Sequence, residues 1–209
     1  DGTVPLDTGF IVFNDRTYPN FVGLLEELGV EYQKSSMSFS VQSKRDRLEY
    51  NGSTLNSLFA QRSNLFRPSF YRLIRDILRF NREAPAFLDS NDLDTTLGEY
   101  LERGRYSREF SAHYLVPMGA AIWSAELVKT GEMPAHFFIR FFENHGLLDI
   151  KNRPQWYTIR YGSAEYVRKL VAGHRDRIRL SCPIGSVSRG ANGVTVTAQG
   201  CEPERFDCA

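Results

Sequence analysis

A long amphipathic stretch in the middle of the chain constrains the fold more than any other feature of the sequence. It begins at Pro68, a residue favoured in the first turn of a helix, and extends to about Leu88. Apolar side chains recur along it with the i, i+3, i+4, i+7 spacing of one helical face, and Pro85 could kink or shorten its end. The apolar positions are Phe70, Leu73, Ile74, Ile77, Phe80, Ala84 and Phe87. The middle of the chain is therefore predicted to be helical.

Capping residues, prolines and glycines predict further elements around this helix. The predicted helices are one capped by Thr17 and stopped by Gly29, one from Thr95 or Thr96 to Leu101, one from Ser107 to about Leu115 that Pro117 breaks, one from Pro134 to His145 followed by Gly146, and one capped by Ser163. Strand-like segments are 4–13, short candidates between 32 and 50, then 155–160, 178–180, 184–188 and 194–197.

This order of elements predicts an α+β fold in which a mainly helical insert interrupts an α/β layer. Residues 1–30 form the first part of the layer, residues 31–153 form the insert, and residues 154–209 return to the layer. The two outer parts are expected to pack together, with the insert as a substrate domain or lid over them.

Composition and charge exclude several classes of protein. The net charge of +1 gives no signature of a nucleic-acid-binding protein. No apolar run reaches the ~18 residues of a membrane-spanning helix, and no signal peptide is visible. The three cysteines form no disulfide framework, the four histidines lack metal-ligand spacing, and a cytoplasmic location is expected. Because the chain opens at Asp1 without an initiator Met and closes on a strand-like segment, we expect a fragment of a longer protein.

Several motifs occur in an order and spacing that are specific when taken together. They are VPLDTGFIVFNDRTYPN at 4–20, SMSFS at 36–40, LFAQ at 58–61, YLVPMG at 114–119, AIWS at 121–124 and RPQW at 153–156. With them the chain resembles one branch of the flavin-containing amine oxidase superfamily, a branch of predicted NAD/FAD-binding proteins. It also looks like the flavin domain fused to some plant cyclopropane-fatty-acid synthases.

The resemblance implies a two-domain flavoenzyme with FAD along the domain boundary. In such proteins a glycine-rich strand–turn–helix binds the pyrophosphate through backbone N–H groups and the helix dipole. No GxGxxG motif occurs in this chain, and the family places that motif upstream of the point matching Asp1.

The resemblance also implies the cofactor-binding residues. Asp7, Gly9, Phe10 and Ile11 would approach the isoalloxazine ring, with Gly9 allowing close approach of the backbone. The backbone of Ile184 would pair with adenine. Tyr161 and Gly162 occupy the positions where relatives often carry a Gly-Gly pair near the flavin, so Tyr161 is a departure from the pattern.

Other candidates come from the residues themselves. Trp156 and Tyr157 could wall a flavin or substrate pocket, or be an aromatic strand packed on a helix. Met118, Ile122 and Trp123 follow Pro117 in a segment expected to be irregular, so they could line a substrate cavity or belong to the core.

His145 is a weak catalytic candidate. It shares a helical face with several phenylalanines, where it could accept a proton, or it could be a hydrogen-bonded residue at a helix C-terminus. His113 and His136 are weaker candidates still.

Four arginines, Arg72, Arg75, Arg79 and Arg82, share the helix face opposite the apolar stripe, with Arg67 just ahead of them. They could form a solvated face or attract an anionic lipid surface.

Two functions of different classes remain open from the sequence. The first is an FAD-dependent oxidoreductase that transfers a hydride from an apolar or amine substrate to flavin, with activity expected in the full-length protein rather than in the fragment alone. The alternative is a non-catalytic acyl- or lipid-binding module that partners a fatty-acid-modifying methyltransferase.

Overall fold

The computed structural model describes residues 6–7, 10–124, 126–149 and 153–208. Its contacts divide the chain into two compact units, Asp1–Ser163 and Ala164–Ala209. Helices and strands mix along the chain, as the predicted α+β class requires. Every strand pair in the described ranges is antiparallel, so the predicted α/β layering finds no parallel pair there.

A three-stranded sheet joins distant parts of the first unit. Its strands are β1 (Phe13–Asn14), β2 (Tyr32–Ser35) and β5 (Trp156–Ile159), in the spatial order β1-β5-β2. Asn14 lies opposite Trp156, and Tyr32 lies opposite Ile159. The opening segment and the segment after the helical insert therefore share one sheet. Since β2 shares it as well, the predicted boundary at residue 30 separates two strands of a single sheet.

The strand predicted for 4–13 is wrong for the described residues before Phe13, which include Phe10, Ile11 and Val12. The carbonyls of Phe10 and Ile11 are bonded by the side chains of Ser163 and Thr158 instead of a strand ladder. Residues 1–5 and 8–9, including the candidate Gly9, lie outside the described residues.

Helix α1 (Pro19–Glu27) follows β1 directly. Its N-cap is Tyr18 rather than the predicted Thr17, because the Thr17 hydroxyl bonds to the Asn14 side chain at 3.0 Å. Gly29 ends the helix as predicted, with φ of +62°, a value that glycine adopts without strain. The amides of Gly29 and Val30 then donate to the carbonyls of Glu26 and Leu25, the paired bonds of a Schellman cap.

The helical part of the first unit is preceded by a hairpin and two short turns. The hairpin pairs β3 (Ser40–Ser43) with β4 (Leu48–Asn51), both within the predicted strand region. Helix α2 (Leu55–Leu58) follows, with a reciprocal cap between Thr54 and Ser57, and then a 3-10 turn (Arg62–Phe66).

Helix α3 (Pro68–Phe87) is the predicted long helix, and it contains Pro85 in its last turn. Its apolar stripe lies in the core, since Phe70, Leu73, Phe80 and Ala84 are all buried. Each fully buried leucine or phenylalanine contributes about 1.5–3 kcal/mol to folding. The helices around it are α4 (Leu97–Arg103), α5 (Arg108–Phe110), a π-helical turn (Ser111–Leu115), α6 (Val116–Trp123), α7 (Leu127–Glu132) and α8 (Ala135–Asn144).

Pro117 does not break the chain's helical path, contrary to the prediction. It lies in the first turn of α6, directly after the π-helical turn. A proline has no N–H to give to the carbonyl four residues earlier, which here belongs to His113. The buried Tyr50 hydroxyl donates to that carbonyl at 2.7 Å and so replaces the missing backbone donor.

The second unit combines α9 (Ala164–Val171), a 3-10 turn (Arg175–Arg177) and a sheet of β6 (Ile184–Gly190), β7 (Gly193–Ala198) and β8 (Glu204–Phe206). The strand order is β6-β7-β8, and central β7 carries the buried Val194 and Ala198. The strand predicted at 178–180 is wrong, because this exposed segment has no partner strand in the described residues.

No helix in the described part of the chain is both long enough and apolar enough to cross a bilayer.

Candidate functional site

The carboxylate of Asp7 connects the opening segment to the turn after β5. Its two oxygens each lie 3.0 Å from the backbone N of Ser163, which donates to them. The Ser163 hydroxyl lies 2.9 Å from the carbonyl O of Phe10 and 3.3 Å from Asp7 Oδ2, so its single proton goes to one of them at a time. Thr158 Oγ1 donates to the carbonyl O of Ile11 at 2.9 Å. Together these contacts define the Asp7–Ser163 corner, which consists of residues 7, 10, 11, 158 and 161–163.

The turn at the corner has an unusual backbone. Tyr161 has φ of +69° and Gly162 has φ of +93°. A β-carbon on Gly162 would lie 3.4 Å from both oxygens of the Asp7 carboxylate, so both the space and the backbone conformation favour glycine here. The left-handed conformation costs a residue such as Tyr161 roughly 1–2 kcal/mol. Its side chain is 75% exposed, with the Arg160 guanidinium 5.2 Å from the ring centre, so packing offsets little of that cost.

Aromatic rings line the corner on the side of the sheet. Phe10 lies 5.6 Å from Tyr18 and 5.1 Å from Phe21, and Tyr18 lies 6.5 Å from Trp156, all between ring centres. Trp156 is partly buried, whereas Phe10 and Ile11 are 44% and 47% exposed. The corner therefore presents an uncovered apolar strip beside a strained turn.

His145 is the C-cap of α8, as one of its two sequence interpretations predicted. Its Nδ1 lies 2.8 Å from the carbonyl O of Phe141, and its Nε2 lies 3.1 Å from the Tyr18 hydroxyl. Its ring stacks on Phe141 with 3.9 Å between centres. The histidine is therefore hydrogen-bonded at both nitrogens.

The substrate-pocket candidates divide between two places. Met118, Ile122 and Trp123 lie on α6, whose helix is regular rather than irregular as predicted. Trp123 packs on Phe141 of α8 with 4.7 Å between ring centres, while Ile122 is 37% exposed. Tyr161 belongs to the corner and shares no recorded ring contact with Trp123 among the described residues.

A family model described as flavin containing amine oxidoreductase matches residues 1–208. The chain belongs to this family. Its cofactor is a flavin, FAD. The finer branch suggested by the sequence, with its link to cyclopropane-fatty-acid synthases, stays a prediction.

Solved structures of putrescine oxidase share the fold of this amine oxidoreductase. A single-substitution variant from a redesign of cofactor binding has a TM-score of 0.64 at 16% identity, over 97% of this chain and 46% of that chain. The wild-type enzyme bound to putrescine has a TM-score of 0.63 at 17% identity, over 97% and 46%. A triple variant has a TM-score of 0.61 at 17% identity, over 93% and 44%. The chain thus spans about half the length of these relatives, and no curated protein matches it.

The geometry of the corner fits one edge of a flavin ring. A planar ring would cover the exposed side chains of Phe10 and Ile11, and apolar surface of this kind is typical of ligand sites. The Tyr161–Gly162 turn leaves no bulky side chain between the backbone and such a ring. In the amine oxidoreductase the residues that could hold the ring are therefore Asp7, Phe10, Ile11, Trp156 and Gly162.

Two of the sequence candidates for cofactor binding lie apart from this set. Gly9 is outside the described residues, and Ile184 lies in the second unit on β6, where it is 51% exposed. Sequence reasoning missed three members of the corner, namely Tyr18, Thr158 and Ser163. Ser163 was visible only as a helix cap, and no local pattern distinguishes the other two.

The largest grooves in the first unit lie elsewhere, at the start of α3. One of about 480 Å³ is lined by Leu65, Phe66, Pro68, Tyr71, Arg72 and Arg75. Its neighbour, of about 390 Å³, includes Asp46, Glu109 and His113. None of the predicted cofactor residues lines either groove. We assign the cofactor to the corner because a flat ring needs an apolar face and close backbone, which an open groove of charged side chains lacks. No group of three or more potential metal ligands occurs among the described side chains.

The predicted arginine face is largely ion-paired within the protein. Arg72 meets Glu109 at 2.6 Å, Arg82 meets Glu83 at 2.9 Å, and Arg75 lies 3.4 Å from buried Asp76. The Arg79 guanidinium lies 3.9 Å above the ring of Tyr106. Internal partners of this kind favour the solvated face over the lipid-binding surface.

Proposed function

We propose that the complete protein containing this chain is an FAD-dependent oxidoreductase that removes a hydride from a carbon atom of an amine or apolar substrate. The observation that carries the proposal is the Asp7–Ser163 corner, where an uncovered apolar strip meets a strained turn in a chain of the flavin containing amine oxidoreductase family. Bound FAD supplies the two-electron acceptor that this chemistry requires.

The protein's own residues contribute position and exclusion of water. Asp7 and Ser163 fix the segment that carries Phe10 and Ile11 against the turn. Phe10, Ile11 and Trp156 provide an apolar surface that displaces water from one side of the reacting carbon. For an amine substrate, the carbon beside nitrogen loses a hydride and the nitrogen loses a proton, which leaves an imine.

We favour an amine over an acyl chain as the substrate. Putrescine oxidase, which shares the fold, has been solved with putrescine bound, and the family description also names amines. Met118, Ile122 and Trp123 would then form the apolar side of the substrate cavity, next to α8.

Anaerobic mixing of the complete protein with candidate substrates tests the proposal. An amine should bleach the visible flavin band, whereas unsaturated acyl chains should not. Asp7→Ala should weaken FAD binding, because it removes the acceptor for the Ser163 amide, while the exposed Asp15→Ala serves as the matched control. A protein that binds FAD but is bleached by neither substrate class contradicts the proposed reaction.

One observation favours the second candidate, an acyl-binding module without catalysis that partners a fatty-acid-modifying methyltransferase. The 480 Å³ groove combines the exposed Phe66 and Leu65 with the guanidinium groups of Arg72 and Arg75, a combination suited to an acyl chain with an anionic end. A colourless preparation that binds a fluorescent fatty acid, and loses it with Phe66→Ser but not with Phe137→Ser, would favour this module.

A further inference from the structure

Tyr18 and His145 form a hydrogen-bonded pair with defined proton positions. His145 Nδ1 lies 2.8 Å from the carbonyl O of Phe141, and because a carbonyl only accepts, Nδ1 carries a proton and donates. In the neutral imidazole Nε2 then bears a lone pair. The Tyr18 hydroxyl, 3.1 Å away, donates to that lone pair.

The pair lies among aromatic rings at the ends of two helices. Tyr18 is the N-cap of α1 and His145 is the C-cap of α8, with 5.6 Å between their ring centres. Phe10 and Trp156 are the other ring neighbours of Tyr18. Burial raises the pKa of the Tyr18 phenol, so the group is protonated at neutral pH.

A positive charge lies close to the pair. The Arg16 guanidinium approaches Gly146, the residue after His145, to 2.5 Å from the position of a hypothetical β-carbon. This charge disfavours a permanently protonated His145. A proton received by Nε2 is therefore held only while something drives it there.

Other tyrosine hydroxyls with recorded bonds face groups of a different kind. Tyr50 donates to the carbonyl O of His113, and Tyr71 donates to the carbonyl O of Leu65. A carbonyl oxygen accepts a hydrogen bond but does not take the proton at neutral pH, whereas an imidazole nitrogen does. Tyr18 thus has a proton acceptor that Tyr50 and Tyr71 lack.

We propose that Tyr18 is a redox-active tyrosine, which gives an electron to a one-electron oxidant while its phenolic proton moves to Nε2 of His145. The phenolic O–H bond breaks, a new N–H bond forms, the electron reduces the oxidant, and a neutral tyrosyl radical faces an imidazolium. Re-reduction of the radical returns the proton from Nε2 to the phenolic oxygen. Oxidising equivalents that reach Trp156 or Phe10 would be drawn to Tyr18, where they are held reversibly. This activity goes beyond the proposed function because it needs no flavin.

Flash oxidation of the purified protein by photogenerated ruthenium(III) tris-bipyridine tests the proposal. We expect a tyrosyl radical, identified by electron paramagnetic resonance, whose rate of formation falls in D₂O. Tyr18→Phe, which keeps the ring contacts, should remove most of this signal. His145→Gln should slow its formation about 100-fold, the typical contribution of a positioned proton acceptor.

Tyr71→Phe is the matched control, and it should leave the radical yield and rate unchanged. Circular dichroism of each variant confirms that the fold is retained, and Phe141→Leu checks that the loss of a stacked ring alone does not slow the reaction. A signal undiminished in Tyr18→Phe, a radical located on tryptophan, or an unchanged rate in His145→Gln would overturn the proposal. None of these outcomes depends on bound FAD, so they are distinct from failure of the oxidoreductase proposal.

Discussion

At the scale of single residues, the amide side chain of Asn14 determines how the chain turns from β1 into α1. The side chain is fully buried, and its Oδ1 accepts from the backbone N of Arg16 at 3.0 Å and of Thr17 at 2.8 Å. The same oxygen accepts from the Thr17 hydroxyl at 3.0 Å. One acceptor thus satisfies three donors just ahead of Tyr18.

Replacing Asn14 should destabilise the protein, because three donors lose their acceptor. We expect Asn14→Ala to lower the free energy of unfolding by about 1–3 kcal/mol, measured by denaturant titration. The exposed Asn20→Ala is the control and should change it by less than about 0.5 kcal/mol. Equal effects of the two substitutions would show that the buried amide is not what determines this turn.

At the scale of elements, a buried carboxylate links α3 to the start of α5. Asp76 is fully buried and accepts from the backbone N of Ser107 at 2.8 Å. Burial alone would raise the pKa of Asp76, but the Ser107 hydrogen bonds and the charges of Arg79 and Arg75 outweigh it and hold the pKa below its ordinary value. The ionised form is therefore favoured by the folded state.

This link predicts a dependence of stability on pH. A carboxylate with a lowered folded pKa stabilises the protein above its unfolded pKa of about 3.9, and the stabilisation is lost as the pH falls through the folded pKa. We expect the free energy of unfolding to decrease below about pH 4, and to decrease less steeply in Asp76→Asn. The exposed Asp94→Asn should keep the wild-type slope. A wild-type slope in Asp76→Asn would contradict the assignment.

A second prediction at this scale concerns the bond between β4 and the π-helical turn. Tyr50→Phe leaves the His113 carbonyl without its donor, and should cost about 1–3 kcal/mol of unfolding free energy. Pro117→Ala restores a backbone N–H, so the double variant should lose less than the sum of the single losses. Strict additivity would show that Tyr50 and Pro117 do not act on the same carbonyl.

The elements that sequence reasoning predicted are those with local signals. The stripe of α3, the strand at 156–159 and the glycine ends at Gly29 and Gly146 depend on residues within a few positions of each other. Pro117 was misjudged because its effect depends on Tyr50, which is distant in sequence. The corner was placed by resemblance, and its contacts between Asp7 and Ser163 join residues that no periodic pattern relates.

At the scale of the whole molecule, the sheet β1-β5-β2 brings the opening segment beside the turn that follows the helical insert. The corner exists because of this pairing, since Phe13 lies opposite Tyr157 and the segment before it then reaches Thr158 and Ser163. The α6–α8 aromatic contacts belong to the same unit and complete the apolar part of the proposed site.

The most direct test of this account is the FAD affinity of the complete protein, followed by flavin absorbance, in the wild type, Gly162→Ala and Gly173→Ala. Gly162 has φ of +93° beside the Asp7 carboxylate, whereas a β-carbon on Gly173 meets no atom within 4 Å. The account predicts a yellow wild type, affinity lowered roughly tenfold by Gly162→Ala, and no change with Gly173→Ala. A wild type that binds no FAD, or a folded Gly162→Ala variant with unchanged affinity, would contradict it.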